Sequence, residues 1–380
     1  MKVTELELSD IKTTTDKEDL VFVNIDEEPF RVYGIYREGD RYRRIPESVA
    51  NKCNDFLKSY QETAAGGRVR FITTSEYISV RVTLTGAVRK DNMTDALASG
   101  GDVYVGTRYY ATVKNNGIFN EKTGEKLPGV LESAEGGVKE PPEGVDIAYE
   151  AVVGLGDTKG ETVTLNLPVF NGVKNVYIGL QKDTEISHAP DYELEKPIVF
   201  YGSSITHGAS ASRPGNIYEN QLSRELGFNY INLGFAGGAQ GEEAVSEYIA
   251  GLDMSAFVFD YDHNAPTVEH LQDTHERMFL KFREKHPETP VLMLSRPYGK
   301  MSADVKARQD VVRATYENAK ARGDENVWLV LGSEYFPEGL ASDFSVDGTH
   351  PNDLGFKLMA DAMKPALTEM IERVRSREIE

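Results

Sequence analysis

At 380 residues the chain is longer than one ordinary hydrophobic core organises, and its 40% apolar and 27% charged content excludes a disordered or fibrous protein. A formal net charge of −19 excludes binding to phosphate backbones or anionic lipid surfaces unless one face is locally basic, and no basic run is visible. The single cysteine, Cys53, excludes an internal disulfide and reads as a buried thiol.

From about residue 20 to 185 the chain alternates apolar and polar residues in short runs with turn residues between them. That is the pattern of half-buried strands in two packed antiparallel sheets. Val21–Val23, Phe30–Tyr36, Arg68–Ile72, Ser79–Leu84, Val103–Val105, Tyr109–Val113, Ala148–Val153, Val163–Leu167 and Val176–Leu180 are the expected strands. Residues 114–144, rich in Gly, Glu, Lys and Pro, read as a long exposed loop or hairpin.

After Pro190 the alternation stops. Apolar runs at Ile198–Tyr201, Ala256–Phe259, Val291–Leu294 and Val327–Leu331 predict parallel strands covered on both faces, with a shorter strand at Tyr230–Leu233. Helices are expected over 267–285, 303–322 and 353–375. The chain therefore divides into an all-β sandwich over 1–194 and an α/β doubly wound parallel sheet over 195–380. Its active site is expected at the carboxyl ends of the strands.

Four groups of residues with chemical potential fall at those strand ends. Gly202-Ser203-Ser204 stands where the first strand must turn, so a serine there projects into the crevice; a plain helix cap is the other reading. Gly234 to Gly238 follows the second strand and could expose backbone amides to an oxyanion. Asn264, at the end of the third strand, could donate its side-chain amide to the same oxyanion. Both groups also suit ordinary turns. Asp347 and His350 sit three apart before the last helix. Histidine can take a serine proton and a carboxylate can fix the imidazole tautomer, although a capped turn would use the same residues.

In this order along an α/β half, the four groups resemble the SGNH (GDSL-like) hydrolases. The match covers residues 195 to 380, and the resemblance implies an SGNH-type, flavodoxin-like sheet. It also implies a catalytic triad of Ser204, Asp347 and His350, with an oxyanion hole formed by the Ser204 and Gly237 amides and the Asn264 side chain. Two positions depart from the family pattern. Ser203 replaces the Asp usual before the serine, and Asp262 stands where Gly often precedes the asparagine. The spacing from Gly202 selects Ser204 over Ser203.

The stretch to Gly215 is similar to a subgroup that carries an N-terminal, jelly-roll-like sandwich and whose members are carbohydrate esterases, many acting on acetyl groups. The resemblance thus implies a serine esterase that removes small acyl groups from carbohydrates without a cofactor. Acyl transfer to an alcohol would use the same triad, and a carbohydrate-binding protein without catalysis is a reading from another class. Arg213 is a candidate substrate contact or a salt-bridge residue, and His263 a candidate pocket or structural residue. Asp260, Asp262 and His263 beside Asp347 and His350 are the nearest approach to a metal cluster, but a metal would leave Ser204 and Gly237 unexplained, so none is expected. Partners are a small-molecule or oligosaccharide ester, with no nucleic acid and no membrane, and with homo-oligomer formation left open. The amino terminus lacks the basic start and apolar run of a signal peptide, which gives a cytoplasmic expectation.

Overall fold

The computed structural model describes all residues except 89, 115–116, 128–137, 140, 142, 298–300, 338–339 and 380. The chain folds as two compact units. The first comprises Met1–Arg44, Glu62–Asp191 and Ser212–Gly215; the second comprises Ile45–Gln61, Tyr192–Ala211 and Asn216–Glu380. This differs from a single division after residue 194.

The first unit is built from two antiparallel sheets. One runs in the order Leu20–Asn24, Val173–Gln181, Tyr77–Leu84, Ile147–Gly154, Phe119–Asn120. The other runs Ile186–Ser187, Arg68–Thr73, Val163–Asn166, Gly101–Val105, Arg108–Val113, with Arg31–Tyr33 also on Arg68–Thr73. Val80, Val82 and Ile178 of the first share one core with Val69, Phe71, Val103 and Leu165 of the second. The expected strand Phe30–Tyr36 is split, because Arg31–Tyr33 pairs with Arg68–Arg70 whereas Tyr36–Glu38 forms a hairpin with Arg41–Arg43.

The alternation along Ser79–Leu84 has a different cause from the one expected. Its polar residues do not face water: Ser79 Oγ donates to Glu150 Oε1 at 2.8 Å and Thr83 Oγ1 to Glu121 Oε1 at 2.6 Å. Thr13 and Thr14 also donate to Glu150, so hydrogen-bonded polar side chains gather on that face of the strand. The expected loop over 114–144 falls partly outside the described residues. Within it, Phe119–Asn120 pairs with Ile147–Ala148, and Val138–Lys139 pairs with Ala87–Val88.

The second unit carries a five-stranded parallel sheet in the order Phe228–Gly234, Leu194–Gly202, Ala256–Asp260, Val291–Leu294, Val327–Val330. In chain order this is 2-1-3-4-5, the flavodoxin-like arrangement of an SGNH fold. Side chains leave the first strand in alternation. Val199 and Tyr201 join a core with Val245, Leu271 and Val312 of three helices, Glu243–Ala250, Val268–Lys285 and Ala303–Ala321. Phe200 packs the other way, on Tyr218 of helix Tyr218–Leu226, which in turn meets Phe356 of helix Asp353–Ile379. Ile45, Ala50, Cys53 and Leu57 belong to the first of these cores, so the segment before Gln61 is an integral part of this unit. Cys53 is buried there, its Sγ donating to the Val49 carbonyl at 3.4 Å. Among the described residues, no helix is long and apolar enough to cross a membrane.

Candidate active site

Three strands end level with one another, and that register assembles the site. Gly202 lies opposite both Gly234 and Asp260 in the parallel ladders. Ser204, Gly237 and Asn264 therefore follow two, three and four residues beyond the same carboxyl edge of adjacent strands. At Gly202 the chain passes so close to its neighbours that a Cβ would stand 2.1 Å from Thr206 Oγ1 and 2.4 Å from the Asp260 carbonyl oxygen. Only glycine fits.

The turn opens into a short helix, Ser204–His207, and the two serines divide the work. Ser203 is fully buried, caps that helix by accepting from the Ile205 amide at 3.1 Å, and donates its own amide to the Asp260 carbonyl at 2.9 Å. Ser204 is freed from that duty, and its Oγ lies 2.8 Å from His350 Nε2. His350 Nδ1 lies 2.7 Å from Asp347 Oδ2.

The loop that carries this pair is braced by its own carboxylate. Asp347 Oδ1 accepts from the amides of Thr349 at 3.0 Å and His350 at 2.8 Å, and the His350 carbonyl receives the Val346 amide at 2.9 Å. Partial burial works against ionisation of Asp347. The His350 amide and ring, with the Thr349 amide, outweigh it and hold the carboxyl well below the usual carboxylate range. A permanently charged Asp347 fixes the ring.

Unpaired polar groups follow the ends of the same strands. Among the described residues the Ser204 and Gly237 amides have no acceptor. Gly237 takes φ +76°, a left-handed conformation that glycine adopts without strain. The Asn264 turn is held from outside its side chain. Its amide bonds the Tyr261 carbonyl at 3.0 Å, and the largely buried Arg308 donates to the carbonyls of Asp262 at 2.7 Å and Ala265 at 2.8 Å. Asn264 Oδ1 is buried without a partner among the described residues.

The other candidates take separate positions. Asp262 is buried and its carboxylate accepts the Arg296 amide at 3.3 Å. Asp260 receives Thr206 Oγ1 at 3.1 Å, and Tyr218 donates to that same hydroxyl at 2.9 Å. Burial, reinforced by the neighbouring Asp262, pushes the Asp260 carboxyl upward. Among the described residues no three His, Cys, Asp or Glu side chains gather as a metal-ligand group.

His263 Nδ1 accepts from the Arg296 guanidinium at 2.5 Å. Burial, with the Arg296 charge and His350 nearby, pushes its imidazole down to about 4, so it is neutral at neutral pH. Arg213 belongs to the first unit. Its guanidinium lies 3.3 Å from Asp102 Oδ2, donates to Tyr104 Oη at 2.6 Å and lies 3.9 Å from the Tyr109 ring centroid, which fits the ion-pair role rather than substrate contact. Arg308 and Arg296 were not visible as site residues, since their partners lie more than thirty positions away and no local pattern marks them.

A doubly wound sheet with a serine, a histidine and an aspartate in hydrogen-bonded series at its carboxyl edge defines an esterase-type acylhydrolase. The signature of the GDSL-like lipase/acylhydrolase family matches residues 195–368, and that of the N-terminus of SGNH hydro-type esterases matches residues 20–130. By these two signatures, residues 195–368 and 20–130 carry the pattern of the SGNH/GDSL-like hydrolase family. A Bacteroides ovatus protein of the GDSL-like lipase type is 27% identical, with a TM-score of 0.73 over 93% of this chain and 98% of that one. A salicylyl-acyltransferase from a tetracycline biosynthetic pathway is 18% identical, with a TM-score of 0.71 over 93% and 98%. An acetyl xylan esterase from the rumen bacterium Butyrivibrio proteoclasticus is 13% identical, with a TM-score of 0.52 over 93% and 99%. The last two share the fold. No curated protein matches the sequence.

Proposed function

We propose that the protein is a serine esterase that removes small acyl groups, acetyl above all, from carbohydrates. The observation that carries this reading is the series Ser204 Oγ to His350 Nε2 at 2.8 Å and His350 Nδ1 to Asp347 Oδ2 at 2.7 Å. In the Nδ1-protonated tautomer selected by Asp347, Nε2 is free to accept the serine proton. Ser204 Oγ attacks the ester carbonyl as its proton passes to His350. The tetrahedral intermediate's oxyanion receives the Ser204 and Gly237 amides and the Asn264 side-chain amide. Collapse breaks the ester C–O bond, and the His350 proton leaves with the sugar hydroxyl. Water then attacks the acyl-enzyme by the same route, which returns Ser204 and releases the acid.

The carbohydrate part of the proposal draws on the acetyl xylan esterase of the same architecture. The charge of −19 also favours a neutral ester over an anionic one. The test is hydrolysis of 4-nitrophenyl acetate and of acetylated xylo- and manno-oligosaccharides by wild type, Ser204→Ala and Ser203→Ala. Acetate release should be lost in Ser204→Ala and survive in Ser203→Ala; full activity in Ser204→Ala would exclude it as the nucleophile. A sugar alcohol added as acceptor measures transfer in the same assay, and a persistent excess of hydrolysis identifies water as the natural acceptor.

A further inference from the structure

Phe56 is a large apolar side chain left 59% exposed, on the short helix Asp55–Tyr60 that the chain inserts into the second unit long before the parallel sheet begins. It does not serve the core. Its neighbour Leu57 does that, fully buried among Tyr201, Leu233 and Phe235. The Phe56 ring lies instead against Gly237, with three ring carbons 3.4 to 3.7 Å from where a Cβ on that glycine would stand. An exposed aromatic ring thus borders the loop that supplies a candidate oxyanion amide.

The ring is also held in place. Asn54 caps the helix, its Oδ1 accepting from the Leu57 amide at 3.0 Å. Its Nδ2 donates to the Gly238 carbonyl at 2.9 Å, and its backbone amide donates to Glu242 Oε1 at 2.8 Å. These bonds tie the helix to the loop over 237–242, so Phe56 loses little further freedom when a ligand rests on it.

We propose that Phe56 is the platform on which the sugar ring of the acylated carbohydrate stacks while its ester lies at Ser204; this rests on the serine-esterase reading above. The apolar C–H face of a pyranose matches an aromatic face, and a ring more than half open to solvent suits a broad, flat ligand. An acyl chain calls for an enclosed slot, because apolar pockets bury most of the ligand they hold. Phe56 is therefore a specificity-determining residue on the alcohol side of the ester.

The experiment compares kcat and KM for acetylated xylotriose with those for 4-nitrophenyl acetate and 4-nitrophenyl octanoate, in wild type, Phe56→Ala, Phe56→Leu and Phe56→Trp. Phe56→Ala and Phe56→Leu should lower kcat/KM for the acetylated sugar about tenfold more than for 4-nitrophenyl acetate, mainly through KM, and Phe56→Trp should restore it. An equal fall on all three esters, a selective change on the octanoate, or a wild type that cleaves 4-nitrophenyl acetate but no acetylated sugar overturns the platform. Ser204→Ala assayed on 4-nitrophenyl acetate keeps the two proposals apart. Loss of Ser204-dependent cleavage of every ester in wild type defeats the esterase reading, whereas Ser204-dependent cleavage with an unselective Phe56→Ala defeats only the platform. Should Phe56→Ala fold poorly, the contrast between leucine and tryptophan, equal in apolar character but not in planarity, carries the test.

Discussion

Replacing Asn264 by alanine removes a side chain that the fold does not use. The turn around it is fixed by backbone bonds to Tyr261 and by Arg308, while Asn264 Oδ1 is buried without a partner among the described residues. An unsatisfied buried polar atom costs about 1–3 kcal/mol, so its deletion offsets the lost packing and stability should stay within about 1 kcal/mol of wild type. Catalysis should respond quite differently. A side-chain donor to an oxyanion is worth about 2.7–4 kcal/mol, so kcat on 4-nitrophenyl acetate should fall about 10²- to 10³-fold. KM should change little, because the charge on the oxygen develops only in the transition state. Steady-state kinetics and urea unfolding on one preparation measure both quantities. A kcat within about threefold of wild type, or a stability loss above about 2 kcal/mol, would refute the assignment.

Three other perturbations test neighbouring parts of the site. Asp347→Asn places an amide where one carboxylate receives two backbone N–H groups and the His350 ring, and kcat should drop about 10³- to 10⁴-fold, as read by ester hydrolysis. Gly237→Ala at φ +76° should cost about 1–2 kcal/mol in urea unfolding and lower kcat by at least tenfold through displacement of the loop amide; an unchanged kcat would remove that amide from the mechanism. His263 takes up its proton near 6.5 in the unfolded chain but only near 4 in the fold, so between those values the unfolded chain binds more protons and stability falls as pH drops. His263→Gln, which keeps an acceptor for Arg296, should lose less stability than wild type between pH 7 and about 4.5 by urea unfolding.

Much of the second unit was legible because the inner parallel strands Ile198–Tyr201, Ala256–Phe259 and Val291–Leu294 are buried on both faces and read as apolar runs. The Ser204, Asp347 and His350 set was legible because the serine follows a strand end and the other two sit together on one loop. What sequence could not give was long-range pairing. Ser203 and Ser204 differ in role only because Ser203 spends its hydroxyl on the Ile205 amide, a choice fixed by the path from Gly202. Arg308 braces the Asn264 turn across more than forty residues. Residues 45–61 form two helices, Glu47–Ala50 and Asp55–Tyr60, too short to show a hydrophobic period, and their partners near 233–242 lie almost two hundred positions away.

That inserted segment bears on how such proteins can be recombined. The polypeptide changes unit after residues 44, 61, 191, 211 and 215. A gene fragment starting at codon 195 would encode Ser204, Gly237, Asn264, Asp347 and His350, yet leave Asn54 and Leu57 behind, and with them the anchors of the 237–242 loop. The two halves are interlaced along the gene rather than strung in succession, so neither natural shuffling nor a chimera built at one crossover can trade the sandwich as a cassette without also carrying the helices between 45 and 61.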